Sequence, residues 1–592
     1  MTLVPRPFRA GLALATLSTL AAGQQQATTN AVLMDDLVQG DRAIERLTPQ
    51  LAALAEKSEM SVAEFADMVR VDDSIHVDGN GNLLFIDPFF VDGDPGEGEE
   101  TDDDGTQYRG GSSDGNIPLS QAFNLHSRPG SNFTIYIDFD GHHSVNNAWG
   151  HNIVFPPFNR SGPAGVFSNA ELQEIIDHWR HMAEDFAPFD VNVTTEEPPI
   201  DDLRRTGGGD TRWGIRDVHT QATSGFGDGI GGVAFLNSFT WRTDTPCFSF
   251  NKGSISGSAT GSHEVGHALG LSHDGLGSSE YHPGTSVQGW TWGPIMGAPF
   301  GAEVIQWSNG DYPNSTRTQN DTNIISSSSN GTTLIPDDHG NAILGGTIVS
   351  PNDCPTPGQI QVCGLITFRD DKDAFTFWSD GGAFSVDGYP TDQTVSVGNM
   401  DVKLELFDPS GVKLVGSNPS RDKTSRIART LSPGWHTILV DGGPQGNQYS
   451  DYGSRGHYTL DISLETPSHF TDLGNGLAGS LGEPVLEGFG DACEGQIVGV
   501  ELSNAAPNAP TFLAYGAFRA DLPLRGGVLV PDIGPGGAYL SLSTNGAGGA
   551  IVSDIWPGGL SSGFEMHFQY WVLDPSGPQN FTASNAAVIT VP

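Results

Sequence analysis

The stretch that decides the fold is the segment His263–Asp274, which reads HEVGHALGLSHD. The residues between its polar positions are small or apolar, and their spacing favours a helix that packs against a core. On such a helix His263 and His267 are four residues apart, so their imidazoles project from one face about one turn apart. Gly270 can adopt a backbone conformation that other residues avoid, so the helix is expected to end there and the chain to turn back.

The polar residues of this segment have the types and the spacing of a catalytic zinc site. His263 and His267 can bind one zinc ion at about 2.0–2.1 Å, and the turn after Gly270 brings His273 in as a third ligand. Three protein ligands leave a fourth position open for water, which distinguishes a catalytic site from a structural one. Glu264 can reach that water without binding the metal, which is the position of a general base. The alternative is three surface histidines on a helix and a turn.

The chain resembles the metzincin zinc metallopeptidases in the pattern H-E-x-x-H-x-x-G-x-x-H, which is far more specific than H-E-x-x-H alone. Asp274, directly after the third histidine, is similar to the reprolysin-like (adamalysin-like) branch. The segments 138–143 (DFDGHH) and 186–191 (FAPFDV) resemble secreted bacterial members of that branch. The resemblance covers about residues 130–345 and implies one catalytic Zn²⁺ on the three histidines.

The same resemblance implies two further parts of the site. Metzincins carry a methionine in a tight turn beneath the zinc, and Met296 in the run Pro294–Gly297 is the matching residue. Metzincins also align their substrate along an edge strand, whose main chain binds the peptide by β-addition. The residues that match this strand are Gly232, Val233, Ala234 and Phe235.

Two features found in other metzincins are not expected here. The position of an additional tyrosine ligand holds Ala298. The predicted pro-region, residues 24–90, contains no cysteine, which excludes a cysteine-switch latency of the kind that matrix metallopeptidases use. Any latency must therefore work sterically or through a carboxylate.

The length of 592 residues exceeds what one hydrophobic core supports, so several domains are expected. Strands alternate with helices over residues 130–345, which indicates an α/β domain with a mixed sheet and an active-site helix. Short alternating runs separated by turn residues indicate two all-β sandwich domains, over 346–467 and 468–592. The expected fold class is a multidomain chain, a metzincin-type α/β catalytic domain followed by two β-sandwiches. The expected elements of the catalytic domain are strands over 133–139, 190–195 and 232–239 and a capped helix over 168–185.

The N-terminal residues 1–23 have the order of a secretory signal peptide, with arginines, an apolar stretch and then small residues. Export of a soluble protein is therefore expected. In the pro-region Ser61–Glu64 is a capping box that opens a short helix. The loop DGNGN at 78–82 resembles a calcium loop only superficially, and a hairpin turn is expected instead. An acidic, glycine-rich linker, residues 91–129, leads into the catalytic domain.

Residues 366–464 resemble the bacterial pre-peptidase C-terminal domain, a β-sandwich appended to many exported peptidases. The matching motifs are DKDAF (371–375), DVKL (401–404), DPSG (408–411) and GHYTL (456–460). Asp371, Asp373 and Asp408 are candidate ligands of a structural Ca²⁺, with turn-capping carboxylates as the alternative. The last domain receives no predicted role.

The net charge of the chain limits the classes of partner that it is expected to bind. It has 28 basic and 71 acidic residues and a formal net charge of −43. Such a surface repels phosphate backbones and anionic lipid, so nucleic acid and membranes are not expected as partners. Among the four cysteines, Cys354 and Cys363 close a short loop that could pair, whereas Cys247 and Cys493 lie far apart. Sequence does not choose among the three possible connectivities, and it leaves the oligomeric state open.

These observations predict a secreted zinc-dependent endopeptidase, made as a zymogen, that hydrolyses peptide bonds with a zinc-activated water and Glu264 as general base. Its expected partners are protein or peptide substrates. The first alternative is a catalytically silent, zinc-containing adhesin or scaffold that acts through its C-terminal β-sandwiches. The second alternative is a hydrolase acting on something other than protein.

Overall fold

The computed structural model describes residues 36–88 and 117–591, except 151, 160, 224, 252, 288–289, 351–357, 380, 394–396, 421, 447 and 466–469. The predicted signal peptide and most of the predicted acidic linker lie outside the described residues. Among the helices in the described ranges, none is long and apolar enough to cross a membrane.

The α-helices of the described residues lie in the first 325 positions. They are α1 (Gly40–Leu47), α2 (Leu51–Lys57), α3 (Val62–Val71), α4 (Asn169–Asp185), α5 (Ser254–Leu269) and α6 (Asp321–Ile325). The capping box predicted at Ser61 is present, since Ser61 Oγ accepts a hydrogen bond from Glu64 N and Ser61 N donates to the Glu64 carboxylate. Ser168 and Glu171 cap α4 in the same way.

The first part of the chain forms a mixed sheet with helices packed against it. Its strands, with those of two short neighbouring sheets, are β1 (Ile75–Val77), β2 (Leu83–Pro88), β3 (Phe133–Asp138), β4 (His142–Ser144), β5 (Ile153–Phe155), β6 (Asn192–Thr194), β7 (Trp213–His219), β8 (Ile230–Phe235), β9 (Cys247–Ser249), β10 (Thr285–Val287), β11 (Trp290–Pro294) and β12 (Val304–Gln306). The seven-stranded sheet has the order β1-β2-β8-β9-β7-β3-β6. Strand β3 is parallel to β6 and β7, whereas β8 is antiparallel to both of its neighbours. Helix α5 packs on α4 and on β7, β8 and β9.

The rest of the described chain is β-structure, as the sequence predicts. The next strands are β13 (Thr347–Ile348), β14 (Gln359–Ile366), β15 (Lys372–Ser379), β16 (Gly382–Pro390), β17 (Val402–Phe407), β18 (Lys413–Ser417), β19 (Ser425–Leu431), β20 (Gly434–Gly442) and β21 (Gly456–Leu464). They form a sheet of order β13-β15-β20-β17-β18 and a sheet of order β14-β21-β16-β19. A shared buried core that includes Phe375, Leu404 and Ile462 lies between them, so this part is a β-sandwich.

The last region contains further antiparallel sheets. Its strands are β22 (Phe470–Gly474), β23 (Val485–Phe489), β24 (Ile497–Ser503), β25 (Pro510–Gly516), β26 (Arg519–Leu524), β27 (Gly527–Pro531), β28 (Gly537–Ser543), β29 (Ala550–Ile555), β30 (Glu565–Leu573), β31 (Phe581–Ala583) and β32 (Ala586–Thr590). The sheet β22-β32-β30-β25-β28 and the sheet β23-β24-β29 share a core around Leu502 and Tyr570. The described part of the chain is thus β-rich and multidomain.

Residues 36–88, here called the N-terminal segment, form a small unit with its own core. Helices α1 to α3 pack around Phe65, Val77 and Phe85, and Leu236 from beyond β8 joins the same core. Strands β1 and β2 pair antiparallel, which confirms the predicted hairpin; Asp78 Oδ1 caps its turn by accepting from Asn82 N at 2.8 Å. The segment therefore extends the central sheet at the edge of β8.

One predicted strand boundary needs correction. The strand expected over 232–239 begins at Ile230 and ends at Phe235, because the chain turns at Asn237, whose φ is 64°. Among the cysteines, Cys354 lies outside the described residues, Cys247 and Cys363 are free thiols, and Cys493 is disulfide-bonded, so the Cys354–Cys363 pairing that the sequence left open is not formed.

Candidate metal centre

Helix α5 carries the first two predicted metal ligands into the interior. All of its residues from Gly257 to Leu269 are buried. Gly270 has a φ of 112° and ends the helix, with Gly270 N donating to His267 O at 2.9 Å and Leu271 N to Gly266 O at 3.0 Å. The chain then turns back, and this turn places His273 beside the helix.

The three predicted histidine ligands converge through their Nε2 atoms. His267 Nε2 lies 3.1 Å from His263 Nε2 and 3.2 Å from His273 Nε2. All three side chains are buried, and together with Asp87 they form a group whose ligand atoms lie within 4.8 Å of one another. Ligands placed tetrahedrally around a zinc ion at 2.0–2.1 Å are about 3.3 Å apart, so these separations fit such an ion.

The other ring nitrogens fix the orientation of the three rings. Nδ1 of His263 lies 2.9 Å from Ile295 O, Nδ1 of His267 lies 2.8 Å from Leu271 O, and Nδ1 of His273 lies 3.0 Å from Asp72 Oδ2. Each acceptor requires a proton on Nδ1, which leaves the Nε2 lone pair of a neutral ring facing the centre. Lone pairs that face one another in a buried space repel, and a shared cation removes that repulsion.

The electrostatics of the site favour positive charge at its centre. Burial lowers the pKa of His267 to about 4, so this ring is neutral at pH 7 and can bind a metal. Burial also lowers the pKa of His273, but the charges of Asp72 and Asp87 outweigh it and raise that pKa to about 10. Two buried carboxylates therefore draw either a proton or a metal cation to this ring.

Glu264 lies directly beside the three histidines. Its side chain is fully buried, and within the described part of the chain neither carboxylate oxygen has a hydrogen-bond partner. Burial, and then the negative charge of Asp87, raise the pKa of Glu264 well above its usual range. A side chain at Gly232 would overlap the Glu264 carboxylate, so the strand β8 passes immediately over it. Buried oxygens without partners next to three imidazoles fit a cation and a polarised water.

Met296, the predicted Met-turn residue, packs against α5. It is fully buried in a turn closed by Gly297 N, which donates to Pro294 O at 2.9 Å. Its sulfur packs against Gly266 of α5. The turn also holds the site together, because Ile295 O orients His263 and Met296 O accepts from Asp274 N at 2.8 Å.

Asp274, the residue after His273, is buried. Its backbone links the third-ligand turn to the Met296 turn, and its buried carboxylate lies near Ser308 and Tyr312. Burial raises the pKa of Asp274 to about 7.

The predicted substrate strand is occupied in this structure by the chain itself. Strand β8 pairs with β9 on one side and with β2 of the N-terminal segment on the other. The register joins Phe85 to Ala234, Ile86 to Val233 and Asp87 to Gly232. The edge predicted to bind a peptide by β-addition is therefore covered by β2.

Three residues close to the histidines were missed by the sequence analysis. Asp87 Oδ2 lies 3.5 Å from His263 Nε2 and 3.4 Å from His267 Nε2, and Asp87 Oδ1 lies 3.1 Å from His273 Nε2. Tyr281 donates its hydroxyl to Asp87 Oδ1 at 2.7 Å, and its ring lies 4.2 Å from that of His273. Asp72 is the third. One signal in the sequence pointed toward them. The predicted pro-region contains no cysteine, so latency through a carboxylate was expected, but the sequence did not identify the residue.

A second carboxylate group lies at the edge of the first β-sandwich. Asp371 and Asp373 are buried and lie with the exposed Asp337 in a group of metal-ligand geometry. Asp371 Oδ1 and Asp373 Oδ1 have no hydrogen-bond partner within the described residues. Asp408 is elsewhere, and its carboxylate caps a turn by accepting from Ser410 N and Val412 N at 2.9 Å each. Of the three predicted calcium ligands, two are together and the third is a turn cap.

Comparison with known proteins gives no family match and two structural similarities with low TM-scores. The chain matches no protein family and no curated protein. Among solved structures it is similar to the pre-peptidase C-terminal domain of collagenase from Bacillus anthracis, at 12% identity over 20% of this chain and 93% of that chain, with a TM-score of 0.15. A putative beta-galactosidase from Bacteroides fragilis matches at 10% identity over 47% of this chain and 39% of that chain, with a TM-score of 0.11.

Proposed function

We propose that the protein is a secreted zinc-dependent endopeptidase of the reprolysin-like metzincin type. The observation that carries the proposal is the convergence of three buried histidine Nε2 atoms beside Glu264 and beneath the β8 main chain. This combination provides a metal site, a base and a surface that aligns an extended peptide.

The residues of the site divide the chemistry between them. A zinc ion bound by the three histidines would supply Lewis acidity, lowering the pKa of water and polarising a carbonyl. Glu264 accepts the proton of the attacking water and delivers it to the leaving amine. The main chain of β8 orients the substrate strand so that its scissile carbonyl lies over α5.

Secretion and calcium complete the proposal. The signal-peptide pattern supports export, and the acidic surface suits proteins and peptides rather than nucleic acid as substrates. A structural Ca²⁺ at Asp337, Asp371 and Asp373 would satisfy the carboxylate oxygens that lack partners.

The test is proteolysis of casein by the zinc-loaded chain after release of the N-terminal segment. We expect cleavage that a chelator abolishes and that added zinc restores. Glu264→Gln should lower kcat by at least about 1000-fold, since it removes the base while the histidines keep the metal. Its zinc content, measured by atomic absorption, should remain one ion per chain.

Glu196→Gln is the matched control, because Glu196 is exposed and its carboxylate bonds to His126 rather than to any of the three metal-facing histidines. It should retain full activity. Full zinc content without proteolysis in the released wild-type chain would favour the silent adhesin or scaffold instead. Full proteolysis by Glu264→Gln would show that the assigned base is wrong.

A further inference from the structure

We propose that the N-terminal segment is an inhibitory pro-segment in which Asp87 takes the fourth ligand position of the metal while β2 takes the place of the substrate. This inference rests on the proposed function and names the regulation of the same site. It makes the uncleaved chain a latent form that is held by a carboxylate.

The position of the Asp87 carboxylate carries the proposal. Its Oδ2 lies 3.4 and 3.5 Å from the Nε2 atoms of His267 and His263, and its Oδ1 lies 3.1 Å from that of His273. These distances match the separation of about 3.3 Å between neighbouring ligands of a tetrahedral site. The Asp87 carboxylate therefore occupies the fourth ligand position, which water occupies in an active zinc hydrolase.

The Asp87 carboxylate is held in place on its other side. Tyr281 donates to its Oδ1 at 2.7 Å, and only about 4% of the residue is exposed. Its Oδ2 has no hydrogen-bond partner in the described residues. A buried anionic oxygen without a partner is costly, and a metal cation at the centre of the histidines would compensate it.

Strand β2 blocks the substrate strand as well as the metal. It pairs antiparallel with β8 from Leu84 to Pro88, so it uses the main-chain groups that a peptide substrate would need. Phe85 stacks on the ring of His267, with 3.8 Å between centroids and 8° between planes. The segment thus covers both the reacting centre and the groups that align the substrate.

Two more contacts tie the segment to the third-ligand turn. Asp72 orients His273 through Nδ1 at 3.0 Å. Gln319 donates to Ser58 O at 2.9 Å, and its own oxygen accepts from Ser272 N at 2.8 Å. Removal of the segment therefore opens the fourth ligand position, the β8 edge and the side of His273 together.

The test uses the full chain loaded with Co²⁺, whose visible absorption reports the metal ligands. The chain is compared before and after tryptic cleavage at Arg109, the sole basic residue between 89 and 116, followed by removal of the segment. Before cleavage Asp87→Asn should differ in spectrum from the wild type, because it lacks the anionic oxygen ligand. After removal of the segment the two spectra should be identical, because neither chain then contains residue 87.

The same samples are tested with acetohydroxamate and with a peptide substrate. Acetohydroxamate should change the spectrum of the wild type only after cleavage, which tests the proposal without any variant. Uncleaved Asp87→Asn should respond to acetohydroxamate, whereas its peptide hydrolysis should stay as low as that of the uncleaved wild type, because β2 still pairs with β8. Asp67→Asn is the control, since Asp67 is an exposed carboxylate of the same segment, and it should behave as the wild type.

The outcomes separate this inference from the proposed function. The role of Asp87 as fourth ligand would be overturned if uncleaved wild type and Asp87→Asn had identical spectra, or if the uncleaved wild type bound hydroxamate. Either result would leave the proposed peptidase function intact. A cleaved, metal-loaded chain that binds hydroxamate but hydrolyses no peptide would overturn the proposed function and leave Asp87 as a metal ligand.

Discussion

At the scale of single residues, the three metal-facing histidines depend on different parts of the chain. His263 and His267 are oriented by backbone carbonyls, Ile295 O and Leu271 O, which lie outside the N-terminal segment. His273 is oriented by Asp72, which belongs to the N-terminal segment. Acceptors of this kind fix the tautomer and raise the basicity of a metal ligand. Under the proposed latency, His273 is therefore the ligand whose properties change when the segment is removed.

Replacement of Asp72 should weaken metal binding in the uncleaved chain only. Asp72→Ala removes the acceptor for His273 Nδ1, and loss of such a partner typically lowers metal affinity about 10–100-fold. A competition titration with a chelator of known affinity measures the change. The affinity should be unaltered once the segment has been removed, and Asp67→Ala should leave it unaltered throughout. Equal affinities for uncleaved wild type and Asp72→Ala would contradict this role.

Asp185, at the end of α4, should make stability depend on pH. It is buried, accepts hydrogen bonds from Ser262 and Asn399, and its pKa is raised by burial to about 7. The folded chain therefore keeps this proton up to about pH 7, whereas the unfolded chain loses it near pH 4. The unfolded state binds fewer protons in this window, so the free energy of unfolding falls as the pH rises through it, by up to about 4 kcal/mol.

Urea denaturation between pH 4 and pH 8 measures this effect. Asp185→Asn cannot ionise, so its stability should fall less than that of the wild type over the window. Asp228→Asn, which changes an exposed carboxylate, should follow the wild-type curve. Parallel curves for Asp185→Asn and wild type would show that Asp185 is already ionised in the folded chain.

At the scale of secondary-structure elements, the sequence predicts local structure better than pairing. The capping boxes at Ser61 and Ser168 place the starts of α3 and α4 correctly, because a cap is decided by residues three apart. The hairpin of β1 and β2 follows from its own turn. Nothing local to Ile86-Asp87-Pro88 indicates that β2 pairs with β8, since that partner lies about 150 residues away and periodicity carries no partner information.

The same limit explains the incomplete prediction of the site. His263, Glu264 and His267 share one helix and their spacing alone brings them together. Asp87 reaches them only because of the register in which β2 pairs with β8. A shift of that register by one residue would turn the Asp87 side chain to the opposite face of the sheet. The positions of local motifs could thus be predicted, whereas the contacts made by β2 could not.

Strand β8 should become more dynamic when the segment is released. It pairs with β9 only through Gly232 and Val233, so β2 supplies most of its neighbours in the sheet. Hydrogen–deuterium exchange of the peptide that covers 230–236 should speed up at least about tenfold after cleavage. A peptide substrate added to cleaved Glu264→Gln should restore the protection, because it replaces β2 along the same edge. Unchanged exchange after cleavage would show that β2 does not protect this strand.

At the scale of the whole molecule, hydrogen bonds join the first β-sandwich to the domain with the mixed sheet and the candidate metal centre. Gln306 of β12 donates to Asn399 O at 2.6 Å, and Tyr452 donates to Asn320 Oδ1 at 2.7 Å. Asn399 also donates to Asp185 at the end of α4. These contacts join the sandwich to the end of α4, to β12 and to Asn320, which precedes α6.

The connection between these two parts should be stabilised by calcium. Asp337 precedes the sandwich, and Asp371 and Asp373 lie at the start of β15, so an ion held by all three ties the connecting segment to the sheet. At a concentration 100 times the Kd, binding stabilises the folded state by about 2.7 kcal/mol. Differential scanning calorimetry of the chelator-treated chain should show a higher Tm for the sandwich when calcium is added. Asp371→Asn and Asp373→Asn should abolish this rise, whereas Asp408→Asn should keep it, because Asp408 only caps a turn. A rise that survives in Asp371→Asn would place the calcium elsewhere in the chain.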